Sequence, residues 1–221
     1  MKKTKLTQFH PVIIDRLRRI TQHEFGHYVV SRALGFRTGG IKISINSMDS
    51  YHGYSETKLA ESGHSAESII DLLHRRAIVL YAGASAETLP GPGPVSNIVN
   101  VKEANRIICA DNLGAQDDNK KAQEIFHILR NAHYPLTDTS VKSNYQIELD
   151  TICSAIFNDA VVLVNKNADR IVDLAKTLAQ RAKSFPISLE MDEATIEAMP
   201  LVQGIVKARL SEVGPPGAIV S

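Results

Sequence analysis

The stretch VIIDRLRRITQHEFGHYVVSRALG, residues 12–35, carries the pattern H-E-x-x-H in His23, Glu24 and His27. Apolar residues recur every three to four positions along it, which predicts a helix from residue 12 to about residue 34 that Gly35 ends. Histidines four residues apart project from one face of a helix, as a Zn²⁺ ion requires of its first two ligands. Glu24 lies beside them and is placed to activate a water as general base. The stretch therefore predicts a metal-dependent hydrolase.

The length and composition are those of a soluble globular protein. Of 221 residues, 43% are hydrophobic and 22% are charged, and the formal net charge of +1 gives no basic field for nucleic acid. We expect a single domain over residues 1–221, with a core of about residues 10–200 and a flexible tail at 213–221. Neither an apolar leader nor an apolar stretch of bilayer length is visible, so we expect a cytoplasmic protein that does not contact a membrane.

Periodicity along the chain predicts a mainly α fold with a small β element, an α+β class. Alternating residues predict a strand at 41–45 with a partner at 51–56. Helical patterns cover about 65–81, 102–110, 117–130, 145–182 and 192–199, and Gly83 is expected to interrupt the first of these before residues 84–87. The run PGPGP at 90–94 must be a loop.

A catalytic zinc site usually takes three protein ligands and leaves one position for water. The extended pattern H-E-x-x-H-x-x-G-x-x-H fails here, because Val30 and Ala33 occupy its glycine and final histidine positions. A carboxylate from a later segment is the remaining ordinary option. The residues alone leave six candidates open: Glu56, Glu61, Glu67, Glu87, Asp117 and Asp118.

Four segments resemble, in order, the motifs of the peptidase domain of FtsH-type AAA proteases. HEFGHYVV at 23–30 is similar to that family's H-E-x-G-H-A helix, and GYS at 53–55 to its G-hydrophobic-T segment. GASAE at 83–87 is similar to G-x-x-A-E, and LGAQDDNKKA at 113–122 to T-G-A-x-N-D-x-x-x-A. The resemblance covers roughly residues 15 to 200.

The resemblance implies an FtsH-peptidase-like helical domain with Asp118 as third zinc ligand beside His23 and His27. Asp117 is the alternative, and it is better suited to a cap or first-turn position of the same helix. For Glu87 we favour a structural role over one of orienting a ligating imidazole. A peptide or unfolded protein segment would lie extended along the edge of the 41–45 strand. A homo-oligomer and a separate ATPase are the further partners that the family suggests.

These expectations combine into a zinc-dependent metalloendopeptidase that cleaves peptides or unfolded segments by a zinc-activated water, with Glu24 as general base. The chain departs from the family in having no Walker A motif, in Phe25, which we expect to face away from the ligands, and in Leu113. The alternative from another class is a catalytically idle, zinc-stabilised adaptor or regulator related to FtsH-type proteases. A hydrolase of non-peptide amides is a second rival.

The remaining candidate residues are given ordinary roles. We expect no ligand role for the other six histidines, of which His52 is nearest to a cleft by position, and we expect Cys109 and Cys153 to be reduced, buried thiols. The arginines at positions 16, 18 and 19 are expected to lie on the solvated face of the first helix.

Overall fold

The computed structural model describes residues 9–47, 50–61, 63–91, 93, 96–110 and 114–208. Within them the chain is mainly helical, with eight helices and a small antiparallel sheet, which confirms the predicted α+β class. The expected flexible tail at 213–221 lies outside the described residues, as does Leu113. In this part of the chain no helix is both long and apolar enough to cross a membrane.

The elements follow one another in an order that begins with the motif helix. The helices are α1 (Pro11–Ala33), α2 (Ala66–Glu87), α3 (Val101–Cys109), α4 (Gln116–His133), α5 (Lys142–Lys166), α6 (Ala168–Ala179), α7 (Glu193–Glu197) and α8 (Pro200–Gln203). The strands are β1 (Arg37–Ile45), β2 (Tyr51–Lys58) and β3 (Ile187–Met191).

Helices α1 and α2 form the centre of the fold, and most of the C-terminal half of α1 is buried. Gly26 allows their close approach, since a Cβ there would lie 2.5 Å from the Cβ of Ala86 and 2.7 Å from the carbonyl oxygen of Ala82. Phe25 is fully buried and packs against Tyr28, as expected of a residue facing away from the imidazoles. Gly35, with φ +88°, ends α1 in a conformation that residues with a Cβ rarely adopt. The motif is thus fixed on a rigid, buried helix.

Helix α2 is continuous to Glu87, so the interruption expected at Gly83 is wrong. Ser65 and Ser68 begin this helix with a reciprocal cap, in which each backbone N–H donates to the other residue's hydroxyl oxygen. Burial of residues 77–86 against the core outweighs the weak helix propensity of one glycine. The continuity matters because Gly83 and Glu87 then share one rigid element.

The sheet has the order β2-β1-β3, and both pairings are antiparallel. Strand β3 was not predicted, although its residues alternate between buried and exposed positions. Because β1 pairs with β2 on one side and with β3 on the other through Ile41–Ile45, it has no free edge. The expectation that a peptide lies along the edge of the 41–45 strand is therefore wrong. Among the described residues, the strand with an unpaired edge near the motif helix is β2.

Candidate metal centre

The structure brings His23, His27 and Asp118 together, with one ligand atom from each residue within 4.8 Å of the others. The two Nε2 atoms are 3.1 Å apart, and Asp118 Oδ2 lies 3.2 Å from that of His23 and 3.1 Å from that of His27. Helix α1 supplies both imidazoles, and the first turn of α4 supplies the carboxylate. Residues far apart in the chain thus converge on one point.

The other ring nitrogen of each histidine determines what the Nε2 atom presents to this point. Nδ1 of His27 lies 2.8 Å from the carbonyl oxygen of Val79, which can only accept, so Nδ1 carries the proton. Nδ1 of His23 lies 3.2 Å from the Glu87 carboxylate and is a donor for the same reason. When an imidazole is neutral, its Nε2 lone pair therefore points at the other ring and at Asp118. We name these three residues the acceptor cluster.

Three acceptors facing one another repel unless a cation lies between them. Zn²⁺ holds imidazole nitrogen and carboxylate oxygen at about 2.0–2.2 Å, so tetrahedral ligands are about 3.3 Å apart. The observed separations of 3.1–3.2 Å fit that value. A proton shared between the acceptors would relieve the same repulsion. Burial lowers the pKa of His23, but hydrogen bonds to Asp118 and Glu87 outweigh it and raise this pKa well above its usual value. The acceptor cluster has the donor set and spacing of a zinc site.

Gly83 of α2 forms the floor of the acceptor cluster. A Cβ at this position would lie 2.5 Å from Nε2 of His27 and 2.6 Å from Nε2 of His23. Any larger side chain would therefore displace the imidazoles or fill the space at which they point. The glycine at the start of the GASAE segment is explained by this steric requirement.

Glu24 lies next to the acceptor cluster and is 6% exposed. Burial raises its pKa, which the two imidazoles partly oppose. Within the described part of the chain no hydrogen-bond donor pairs with its carboxylate. Gly53 of β2 leaves the room for it, because a Cβ there would lie 2.0 Å from Glu24 Oε1. A buried carboxylate that has no partner among the described residues and lies beside a metal-type donor set is chemically suited to accept a proton.

Glu87 lies directly behind the His23 imidazole, which favours the orienting role over the purely structural role that we preferred from the sequence. Its Oε2 accepts from His23 Nδ1, and its Oε1 accepts from Arg19 at 2.9 Å. Burial would raise the pKa of Glu87, but His23 and Arg19 outweigh it and lower this pKa. A carboxylate behind a ligating histidine fixes the ring and its tautomer. Arg19 is thus part of the site and does not lie on a purely solvated face.

Between the two aspartates of α4, the structure places Asp118 in the acceptor cluster. Burial opposes ionisation of Asp118, but the two imidazoles dominate and lower its pKa strongly. Asp117 is exposed in the same first helical turn and makes no capping hydrogen bond. The other carboxylates left open by the sequence do not join: Glu56, Glu61 and Glu67 lie outside the group.

The acceptor cluster lies at the bottom of a cleft of about 830 Å³ between α1, β2 and the N-terminal turn of α4. Several residues of β2 line it, including His52, Gly53 and Ser55. Of the remaining histidines, His10 caps α1 and His127 contacts Tyr145, without ligand geometry. Cys109 is exposed and Cys153 is half-buried, so the expectation that both are buried is wrong, although both are free.

Sequence reasoning missed Arg76 of α2 and Tyr51 of β2, which also line the cleft. Tyr51 packs under the guanidinium of Arg16, 4.6 Å from the ring centroid. Neither residue belongs to a motif with a chemical signature. The one available signal for Arg76 is its helical spacing of seven from Gly83, which places both on one face of α2.

A scan against protein-family models and a search of curated proteins found no match for this chain. The resemblance to FtsH-type peptidases therefore rests on the four sequence motifs and stays a prediction.

Proposed function

We propose that this chain is a zinc-dependent metalloendopeptidase that cleaves peptides or unfolded protein segments. The observation that carries the proposal is the unpaired, buried Glu24 carboxylate next to three convergent acceptors. Among the described residues, three side chains converge beside Glu24 as possible metal ligands: His23, His27 and Asp118. A structural zinc site closes all four positions with protein ligands, whereas a catalytic site leaves one for substrate and water.

His23, His27 and Asp118 would hold the ion. When bound, zinc supplies Lewis acidity, which polarises a peptide carbonyl and makes a water easier to deprotonate. Val79 and Glu87 keep the two imidazoles in the tautomer that binds a cation. Both partners accept a hydrogen bond from Nδ1, so the rings are oriented before substrate arrives.

Glu24 moves the proton in the proposed reaction. Its carboxylate accepts a proton from the attacking water while the new C–O bond forms at the peptide carbon. It then donates that proton to the leaving nitrogen as the C–N bond breaks. Burial raises the pKa of Glu24, which brings a carboxylate closer to the range in which it both accepts and donates.

Strand β2 offers a binding mode for an extended peptide. It pairs with β1 along one edge, and six of its residues line the cleft: Tyr51, His52, Gly53, Tyr54, Ser55 and Thr57. An added strand would use main-chain hydrogen bonds, which tolerate many side chains. The FtsH-type resemblance supports the same substrate class. The alternative of an idle adaptor gives no role to Glu24, because a zinc scaffold needs no general base.

The test is hydrolysis of a mixed peptide library by wild type and by Glu24→Gln, each with measured zinc content and with a chelator added in parallel. We expect chelator-sensitive cleavage by wild type and none by the variant at equal zinc content. Cleavage by Glu24→Gln at the wild-type rate would overturn the role of Glu24. Zinc binding by wild type without hydrolysis of any peptide would favour the adaptor.

A further inference from the structure

Arg76 is a half-buried cation in the wall of the cleft, and among the described residues it has no partner of opposite charge in contact. Six other arginines form ion pairs with carboxylates: Arg18, Arg19, Arg32, Arg75, Arg106 and Arg130. Across the described ranges, neither a hydrogen bond nor an ion pair engages the guanidinium of Arg76. Its neighbour Arg75 points the other way and is fully paired.

Partial burial disfavours the charged form of this guanidinium. Burial lowers the pKa of Arg76, and the charge of Asp118 only partly opposes this effect. A guanidinium has five N–H donors in a planar fork that matches a carboxylate. A ligand that brings a carboxylate into the cleft would satisfy donors that the folded chain leaves free.

Two further cations line the same cleft without a carboxylate partner in the described structure. Arg16 of α1 lies over the ring of Tyr51, and Lys121 of α4 lies one turn beyond Asp117. Most cleft carboxylates are already engaged: Asp15 by Arg18, Glu87 by His23 and Arg19, and Asp118 by both imidazoles. In the part of the cleft that the structure describes, Glu24 and the exposed Asp117 are the others. The free positive groups therefore favour an anionic ligand.

We propose that Arg76 is a specificity-determining residue that binds a carboxylate of the substrate, so that the cleft prefers acidic peptides. The inference rests on the proposed peptidase function for its substrate class. The carboxylate is an aspartate or glutamate side chain of the peptide or its free C-terminus, since both offer the same bidentate chemistry.

The geometry of α2 gives the distance at which this carboxylate lies from the cleaved bond. Arg76 and Gly83 are seven residues apart, which is two helical turns or about 10 Å along the axis. Gly83 touches the acceptor cluster. An extended peptide advances about 3.3 Å per residue, so the carboxylate should lie about three residues from the cleaved bond.

The test compares fluorogenic peptides that differ only in Glu or Gln at successive positions, each with a free or an amidated C-terminus. A charge-assisted pair contributes about 1.5–3 kcal/mol, so wild type should favour the best acidic peptide about 10- to 100-fold in kcat/KM. Arg76→Met should bring the acidic-to-neutral ratio close to one, and Arg76→Lys should restore part of it. Arg181→Met, an exposed residue outside the cleft, should keep the wild-type ratio. Loss of the preference on amidation would identify the C-terminal carboxylate, and its persistence a side chain.

A binding measurement separates this inference from the peptidase proposal. Fluorescence anisotropy of labelled acidic and neutral peptides is measured on Glu24→Gln, with and without Arg76→Met. Arg76-dependent binding of acidic peptides without hydrolysis by wild type would uphold the inference and overturn the peptidase. Hydrolysis with the same acidic-to-neutral ratio in wild type and Arg76→Met would overturn the inference alone.

Discussion

Helix α2 contributes to two clusters of polar side chains, and the two clusters balance their donors and acceptors in opposite ways. Near its N-terminal end lies the Arg75 cluster, formed by Arg75, Glu61, Asp71 and the carbonyl oxygen of Leu34. Near its C-terminal end, Gly83 and Glu87 support the acceptor cluster. The same helix thus serves two kinds of charged group.

The Arg75 cluster is closed. The guanidinium donates to Asp71 at 2.7 Å, to Glu61 at 2.7 and 3.2 Å, and to Leu34 at 3.3 Å, and it stacks on the Phe36 ring. Each guanidinium nitrogen of Arg75 donates a hydrogen bond, so this cluster needs no additional ligand. Such a network ties the loop before α2 to α1 and β1, which is a structural role.

The acceptor cluster is open. With both imidazoles neutral, their Nε2 atoms and Asp118 Oδ2 are three converging acceptors that need a cation or an added proton between them. The nearby Glu24 has no hydrogen-bond partner in the described residues. Buried acceptors that face one another are unfavourable without a cation or a proton between them. The comparison teaches that the balance of donors and acceptors, more than burial or charge, separates a structural cluster from a site that binds a cation.

The largest expected effect is that of Glu24→Gln on hydrolysis. General acid–base catalysis contributes about 10²- to 10⁴-fold, so kcat should fall about 10³-fold while zinc content is unchanged. Glu124→Gln on the exposed face of α4 is the control and should match wild type. Loss of zinc together with activity in Glu24→Gln would mean that Glu24 is a ligand instead.

Asp118→Asn and Asp117→Asn form a matched pair in the first turn of α4. Loss of the anionic ligand should weaken zinc binding at least about 100-fold, more than the loss of a residue that only supports a ligand. Asp117→Asn should bind zinc like wild type, since Asp117 is exposed. Competition with a chromophoric chelator measures both affinities, and the opposite ranking would exchange the two assignments.

Glu87→Gln tests the orienting carboxylate behind His23. The amide keeps an acceptor but loses the charge, so zinc affinity should fall about 10- to 100-fold. The same chelator competition detects this change. An affinity equal to wild type would return Glu87 to the purely structural role.

Arg75→Met should lower stability and leave zinc binding unchanged, which is the opposite of what we expect for the variants of the acceptor cluster. Its partners Glu61 and Asp71 are partly exposed, so we expect the free energy of unfolding to fall by about 1–3 kcal/mol, less than for a fully buried pair. Zinc affinity should be unchanged. Denaturant unfolding and zinc titration together provide the check, and a stable variant that binds zinc poorly would abolish the distinction between the two clusters.

The smallest effect expected is on pH-dependent stability through His74, a buried neighbour of the Arg75 cluster. Burial lowers the pKa of His74, so the unfolded chain binds more protons than the folded protein below about pH 6.5. The contribution of neutral His74 to stability is therefore fully present above that pH, and it is lost as the pH falls toward the lowered pKa of His74 in the folded protein. His74→Gln should flatten the decrease below about pH 6.5 in thermal unfolding scans. An unchanged slope would show that other groups cause it.

The sequence predicted those features that depend on local spacing. The helix with His23 and His27 follows from periodicity, and both strands flanking residues 46–50 follow from alternation. Asp118 came from a resemblance to a family motif, because no spacing rule connects residues 91 apart in sequence. The structure places Asp118, and not Asp117, beside the two imidazoles, whereas its role as a zinc ligand stays a prediction.

Contacts between residues far apart in the chain could not be predicted from the sequence. Glu87 lies 64 residues from His23, and its helix had to be continuous through Gly83 for the two to meet. Strand β3 shows alternation, but its pairing with β1 depends on how α5 and α6 return the chain. The free edge of β2, and with it the expected position of a peptide, could not be assigned without that pairing.

The most direct test of the account is X-ray absorption at the zinc edge on purified protein with one equivalent of zinc. The account predicts one tightly held ion per chain with two imidazole nitrogens and carboxylate or water oxygen at about 2.0–2.2 Å, and no sulfur. The imidazole signal should disappear in a variant lacking both His23 and His27. Sulfur ligation, or failure of the wild-type protein to retain zinc, would contradict the claim that the acceptor cluster is a metal site.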